Sequence, residues 1–223
     1  MDIKEVLEKK SNLKIYLKIK EYKSTYISVV KSKYCLKISL HKLFLTAPED
    51  IKNEVINFCL KRDKKSYDII KKYANKCFLN LDYSYKLNLK KLVTKGRYFD
   101  LKQIYENLNL IYFQGSLNLN ITWFEKPRYR RYSHFTFGSY DKNLKLIRIN
   151  KLIDNKNFPF YFINYIVYHE MLHAVCKEEI NERGNKKIHT RMFKELERKF
   201  AYYDEAQEFE KRFLKKGKKY GGT

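Results

Sequence analysis

Apolar and polar positions alternate over Leu13, Ile15, Leu17 and Ile19, and β-branched or apolar runs follow at 25–30 and 34–40, which predicts three strands near the N-terminus. A meander is the simplest order for them. The period then lengthens. Thr46, Ala47, Pro48 and Glu49 have capping-box spacing with proline in the first turn, and Ile51, Val55, Phe58 and Cys59 recur as on one helix face. A second helix is predicted over 67–77. Residues 83–97 carry Lys86, Lys90, Lys91, Lys95 and Arg97 without an acid and read as a linker.

Past that linker, Asp100 is a good N-cap for a helix marked by Leu101, Ile104, Tyr105, Leu108, Ile111 and Tyr112, and Gly115 supplies a stop. Leu117, Leu119, Ile121 and Trp123 alternate as a strand. The runs 135–140 and 144–149 flank Asp141, Lys142 and Asn143, a hairpin pattern. Pro159 opens an apolar helix that ends near Cys176. A polar loop containing Gly184 leads to a last amphipathic helix starting near His189, and the chain closes with a Lys-rich tail (Lys211, Arg212, Lys215, Lys216, Lys218 and Lys219). The sequence shows no internal repeat.

Composition excludes several classes. The 223 residues are 44% apolar and 33% charged, enough for one core or two small ones, and 7 Gly and 3 Pro exclude collagen-like and low-complexity chains. Lys and Arg number 48 against 25 acids, a net charge of +23, which excludes an ordinary acidic enzyme and points to a polyanionic partner. AT-rich codon usage is a competing source of the lysines, and the excess is spread over both halves. Cys35, Cys59, Cys77 and Cys176 form no CxxC pair, so neither a zinc ribbon nor a disulfide framework is expected, and reduced thiols in a cytoplasm fit best. The N-terminus lacks the apolar core of a secretory signal. The apolar stretch 158–176 contains Asn164, His169, Glu170 and His173 and reads as a buried helix, so no membrane partner is expected.

The chemistry is concentrated on that helix. Tyr168-His169-Glu170-Met171-Leu172-His173 is an HExxH motif, whose two imidazoles lie about 40° apart around a helix and roughly 6 Å along it, so both reach one metal ion. Tetrahedral zinc suits them. Glu170 projects beside the metal and can take a proton from a bound water, whose pKa zinc lowers from 15.7 towards about 7. A third ligand comes from Cys176, Glu178, Glu179, Glu182, His189, Glu195 or Glu197. His189 is preferred because Phe193, Leu196 and Phe200 follow at helical spacing and place it at the head of an inward stripe. Cys176 is the rival. Tyr202 and Tyr203 are candidate oxyanion donors that fit packing or surface roles better, as Trp123 fits a buried packing role and His41 and His134 fit structural or exposed ones.

The order Asp100-Leu101, Asn107 with Tyr112-Phe113, Gly115-Ser116-Leu117, Ile121-Thr122-Trp123, a hairpin, His169-Glu170 with His173, then His189 with Phe193 resembles the SprT-like (Spartan-type) zinc metalloproteases over about residues 98–204. The resemblance implies His169, His173 and His189 as ligands of one Zn2+ ion, Glu170 as general base, and a protease acting on proteins crosslinked to DNA. Residues 1–95 lie outside it.

The expected fold is therefore α+β. A small N-terminal strand-and-helix region (1–95) of unknown role precedes a zincin-like domain (96–223) with a short antiparallel sheet, the HExxH helix and a basic tail. Its expected activity is endopeptidase cleavage of a protein or peptide substrate laid along the hairpin strand. Lys126, Arg128, Arg130 and Arg131, interleaved with Tyr129 and Tyr132, are the expected DNA contacts. A DNA-binding or adaptor module stapled by a four-ligand structural zinc is the alternative, with Cys176 as its distinguishing ligand. A metal-dependent hydrolase of another bond shares the motif.

Overall fold

A computed structural model describes residues 2–21, 26–79, 81–125 and 135–220 of the chain. It is a mixed α+β protein with small sheets that divides into two units. The first comprises residues 1–81 together with 179–187, and the second residues 82–178 with 188–223.

In the first unit α1 (Ile3–Ser11) precedes β1 (Lys14–Lys20), β2 (Ile27–Lys31) and β3 (Cys35–His41), followed by α2 (Glu49–Lys61) and α3 (Lys64–Leu79). The sequence reading lacked α1. Its signals are local: Asp2 Oδ1 accepts from the Lys4 N–H at 2.8 Å, Ile3 and Leu7 are buried one turn apart, and Asn12 stops the helix at φ 51°. The strands are not a meander. β3 lies between the other two, parallel to β1 and antiparallel to β2. Burial explains the order, since Leu36, Ile38 and Leu40 on β3 are at most 1% exposed, whereas the outer strands expose Tyr16, Lys18, Ser28 and Val30. The capping box at Thr46 does not form either: α2 starts at Glu49 behind Pro48, without a side-chain cap, and Glu49 and Asp50 face the positive end of the helix dipole instead.

The Gly184 loop is a short hairpin, β7 (Glu179–Ile180) against β8 (Lys186–Lys187), and it belongs to this first unit. Asn75 Nδ2 donates to the Gly184 carbonyl at 2.8 Å. Gly184 has φ +70°, and a Cβ there would lie 2.7 Å from the Lys72 backbone nitrogen, so the turn requires glycine.

The second unit contains α4 (Leu101–Phe113), β4 (Asn120–Phe124), β5 (Gly138–Asp141), β6 (Leu146–Asn150), α5 (Phe160–Val175), α6 (Arg191–Glu197) and α7 (Tyr203–Tyr220). Asp100 caps α4 as predicted, accepting from the Lys102 N–H at 2.9 Å. The hairpin is present, but the sheet is not purely antiparallel: β6 is central, antiparallel to β5 and parallel to β4. The predicted linker is part of this unit. The Val93 N–H donates to Thr122 Oγ1 at 2.9 Å and the Val93 carbonyl accepts from the Trp123 N–H at 2.8 Å, so the segment satisfies its backbone on the outer edge of β4. Asp154 then accepts from the N–H groups of Arg97, Tyr98 and Phe99. The last predicted helix is two. α6 starts near His189 as expected, with Thr190 as its N-cap, and stops at Glu197, after which the Ala201 N–H donates to Tyr112 Oη at 3.2 Å.

One architecture recurs in the two units although the sequence shows no repeat. Each runs helix, strand, hairpin, helix, with the third strand central, parallel to the first and antiparallel to the second. His41 N–H bonds the Tyr26 carbonyl at 2.9 Å, as Asn150 N–H bonds the Phe137 carbonyl at 2.8 Å. The side chains of His41 and Asn150 each accept the N–H two residues on, at 3.1 Å, starting a 3₁₀ turn. Pro48 and Pro159 then open the following helices.

Candidate metal centre

α5 is apolar on nearly every side, and Phe162, Ile163, Ile166, Val167, Met171 and Leu172 tie it into the core of its unit. None of the described helices, α5 included, is long and apolar enough to cross a membrane. His169 and His173 leave α5 on one side, and His189 arrives from the segment ahead of α6. The three offer ligand nitrogens that all lie within 4.8 Å of one another, close enough to bind one metal ion. Their ring centroids are 5.0 Å (His169–His173), 5.1 Å (His169–His189) and 5.1 Å (His173–His189) apart. Phe193, fully buried, packs its ring 4.7–5.0 Å from all three, an apolar floor that fixes the imidazoles in plane and depth. His189 reaches the group from a capped lead-in rather than from a helical stripe, so the spacing to Phe193 has a different cause from the predicted one.

Electrostatics divides the imidazoles. Burial, then the charges of His169 and His189, push His173 down to about 3, and burial followed by His169 lowers His189, so both are neutral and hold free lone pairs. Burial pulls His169 downward too, but the Glu197 hydrogen bond and the charges of Glu170, Glu197 and Glu210 outweigh it and raise the pKa. Glu197 Oε1 lies 2.7 Å from His169 Nδ1. Glu170 is 6% exposed, and burial lifts its carboxyl to about 7 against the lowering effects of His169 and a hydrogen bond from the Tyr140 N–H. Among the described residues β5 is an edge strand, so this N–H belongs to the sheet margin beside Glu170.

Among the described residues, the other candidate ligands do not join the three-histidine group. Cys176 is buried at the C-cap of α5 among core side chains and does not join the three-histidine group. Glu195 pairs with Arg191 at 2.8 Å, Glu179 with Lys187 at 3.6 Å, and Glu197 supports His169. Tyr202 stacks on Tyr161 at 5.9 Å and Tyr203 packs on Tyr165 at 6.1 Å. Trp123 is buried packing, and His41 is fully buried and caps a turn. None of the four cysteines is in a disulfide. Lys126, Arg128, Arg130 and Arg131, with His134, lie outside the described residues.

The sequence reading missed the supports of the site. Tyr165, one turn before His169, donates to Glu197 Oε1 at 2.8 Å, and Gly138 leaves room for Glu170. The spacing of Tyr165 to His169 was a readable signal, whereas Gly138 acts across the sheet. Comparison with family models, with curated proteins and with solved structures found no match to the chain.

Proposed function

We propose that this protein is a zinc-dependent endopeptidase of SprT-like type, with His169, His173 and His189 holding the metal and Glu170 as general base. The observation that carries the reading is three imidazoles from two separated segments converging beside a buried glutamate. His169 and His173 are half-buried and His189 is exposed, and a divalent cation would pair all three at once. The donor set fits zinc, and three protein ligands leave a fourth position open. No cysteine or carboxylate joins the group among the described residues, which favours catalysis over a structural staple.

Zinc bound there supplies Lewis acidity, polarising a carbonyl and lowering the pKa of water from 15.7 towards about 7. The remaining tasks fall to the chain itself. Glu170, buried next to His169, can accept a proton from the attacking water at Oε and pass it to the leaving amine. β5, an edge strand among the described residues, offers its margin to an extended peptide. The proposal stops at the peptide bond, since the DNA expectation rests on charge and on a loop outside the described residues.

The test is cleavage of an unfolded protein substrate by zinc-loaded wild type and Glu170→Gln, with metal content measured on both. Glu170→Gln is expected to keep its zinc and lose roughly 10²- to 10⁴-fold in rate, and a chelator to abolish wild-type cleavage until zinc is restored. Undiminished cleavage by the zinc-loaded variant removes the assigned base.

A further inference from the structure

We propose that Glu197 is the positioning residue of the metal site, presenting His169 to the ion through its Nε2 atom, and that α7 holds Glu197 in place through Tyr165 and Gln207. The inference rests on the metal reading above and extends it to a helix that supplies no ligand.

A directional chain of hydrogen bonds carries it. Gln207 Nε2 donates to Tyr165 Oη at 2.7 Å, Tyr165 Oη donates to Glu197 Oε1 at 2.8 Å, and the same Oε1 faces His169 Nδ1 at 2.7 Å. The four residues come from three helices: Gln207 from α7, Glu197 from the last position of α6, and Tyr165 and His169 from successive turns of α5. Tyr165 is 3% exposed and the Glu197 side chain 13%, so water competes little for these bonds.

The chemistry of the groups gives the chain its direction. A carboxylate only accepts, so Nδ1 of His169 must carry the proton, which leaves the Nε2 lone pair as the one His169 can offer to a metal shared with the other two imidazoles. Tyr165, with its one proton spent on Glu197, can only accept from Gln207, and an amide N–H is what it meets. Each partner therefore sets the proton position of the next. Were Glu197 a packing clip between α5 and α6, its removal would cost stability and leave the ring tautomer of His169 indifferent. A positioning carboxylate also raises the basicity of the ligand it holds, so its removal weakens the metal.

The experiment is a Co2+ titration, with Zn2+ competition, of the full chain as wild type, Glu197→Ala, Glu197→Gln and Tyr165→Phe, together with long-range 1H–15N spectra of the histidine rings. Glu197→Ala is expected to bind metal about 10- to 100-fold more weakly, Glu197→Gln to recover part of the loss because its amide oxygen still accepts from Nδ1, and Tyr165→Phe to fall between wild type and Ala. In metal-free wild type the neutral ring of His169 should be protonated on Nδ1, and the Ala variant should lose that preference. Should Glu197→Ala fail to fold, the Gln and Phe variants carry the same comparison. Wild-type affinity and an unchanged His169 tautomer in the folded variants overturn the inference, whereas a wild type that binds neither cobalt nor zinc overturns the metal reading beneath it.

Discussion

At Gly138 a hydrogen atom stands where any other residue would place a carbon 2.7 Å from Glu170 Oε1 and 2.9 Å from its Cγ. Glu170 is buried and cannot swing into solvent, so Gly138→Ala must push it off its position without touching a histidine. Peptide cleavage is expected to fall roughly 10- to 100-fold, the scale of an ångström-sized misplacement, with metal affinity unchanged. A parallel loss of metal would place the damage in the sheet rather than at the base. His169 and His173 were the most legible part of the histidine group because the HExxH spacing is local. Glu197 was legible only as one acid among several, since its partner lies 28 residues away in sequence and only the approach of α6 to α5 brings them together.

Asp100, the hairpin and Pro159 were legible because a local period or cap sets them, whereas α1 was missed although its cap at Asp2 is as local. Strand order was not legible, because the central place goes to whichever strand is most apolar on the finished sheet, a comparison no window of sequence makes. The break between α6 and α7 likewise depends on Tyr112 accepting the Ala201 N–H, a distant partner replacing a helical one. On α2, burial pushes the Cys59 thiol up to about 12 from an ordinary 9.0. Below the lower value both folded and unfolded chains keep the proton. As pH rises through the interval, the unfolded chain ionises first, so stability falls with pH there. Urea midpoints at about pH 8 and about pH 10.5 should therefore drop further in wild type than in Cys59→Ala. Equal drops in the two proteins would show that Cys59 ionises as readily folded as unfolded.

At the scale of the molecule, the recurring helix, strand, hairpin and helix give two frameworks, of which one carries the three clustered histidines. Counting from Pro48 and Pro159, the places of His169, Glu170 and His173 are held by Phe58, Cys59 and Arg62. Burial keeps the correspondence where chemistry does not: Ile51, Val55, Ile56 and Cys59 are buried at the positions of Phe162, Ile166, Val167 and Glu170. Both helices also meet the outer strand of their sheet, Arg62 donating to the Val29 carbonyl and Glu170 lying against Gly138. Sequence comparison within the chain misses this because the shared features are burial, caps and pairing, which many residue types satisfy. On the proposed function one ion is expected in each chain, in the second unit. Anomalous diffraction at the zinc edge from zinc-loaded crystals tests this most directly. The expected map has one strong peak, about 2.0–2.1 Å from a nitrogen of each of His169, His173 and His189. A peak at the cysteines or in the first unit, or none near those three rings, would contradict it.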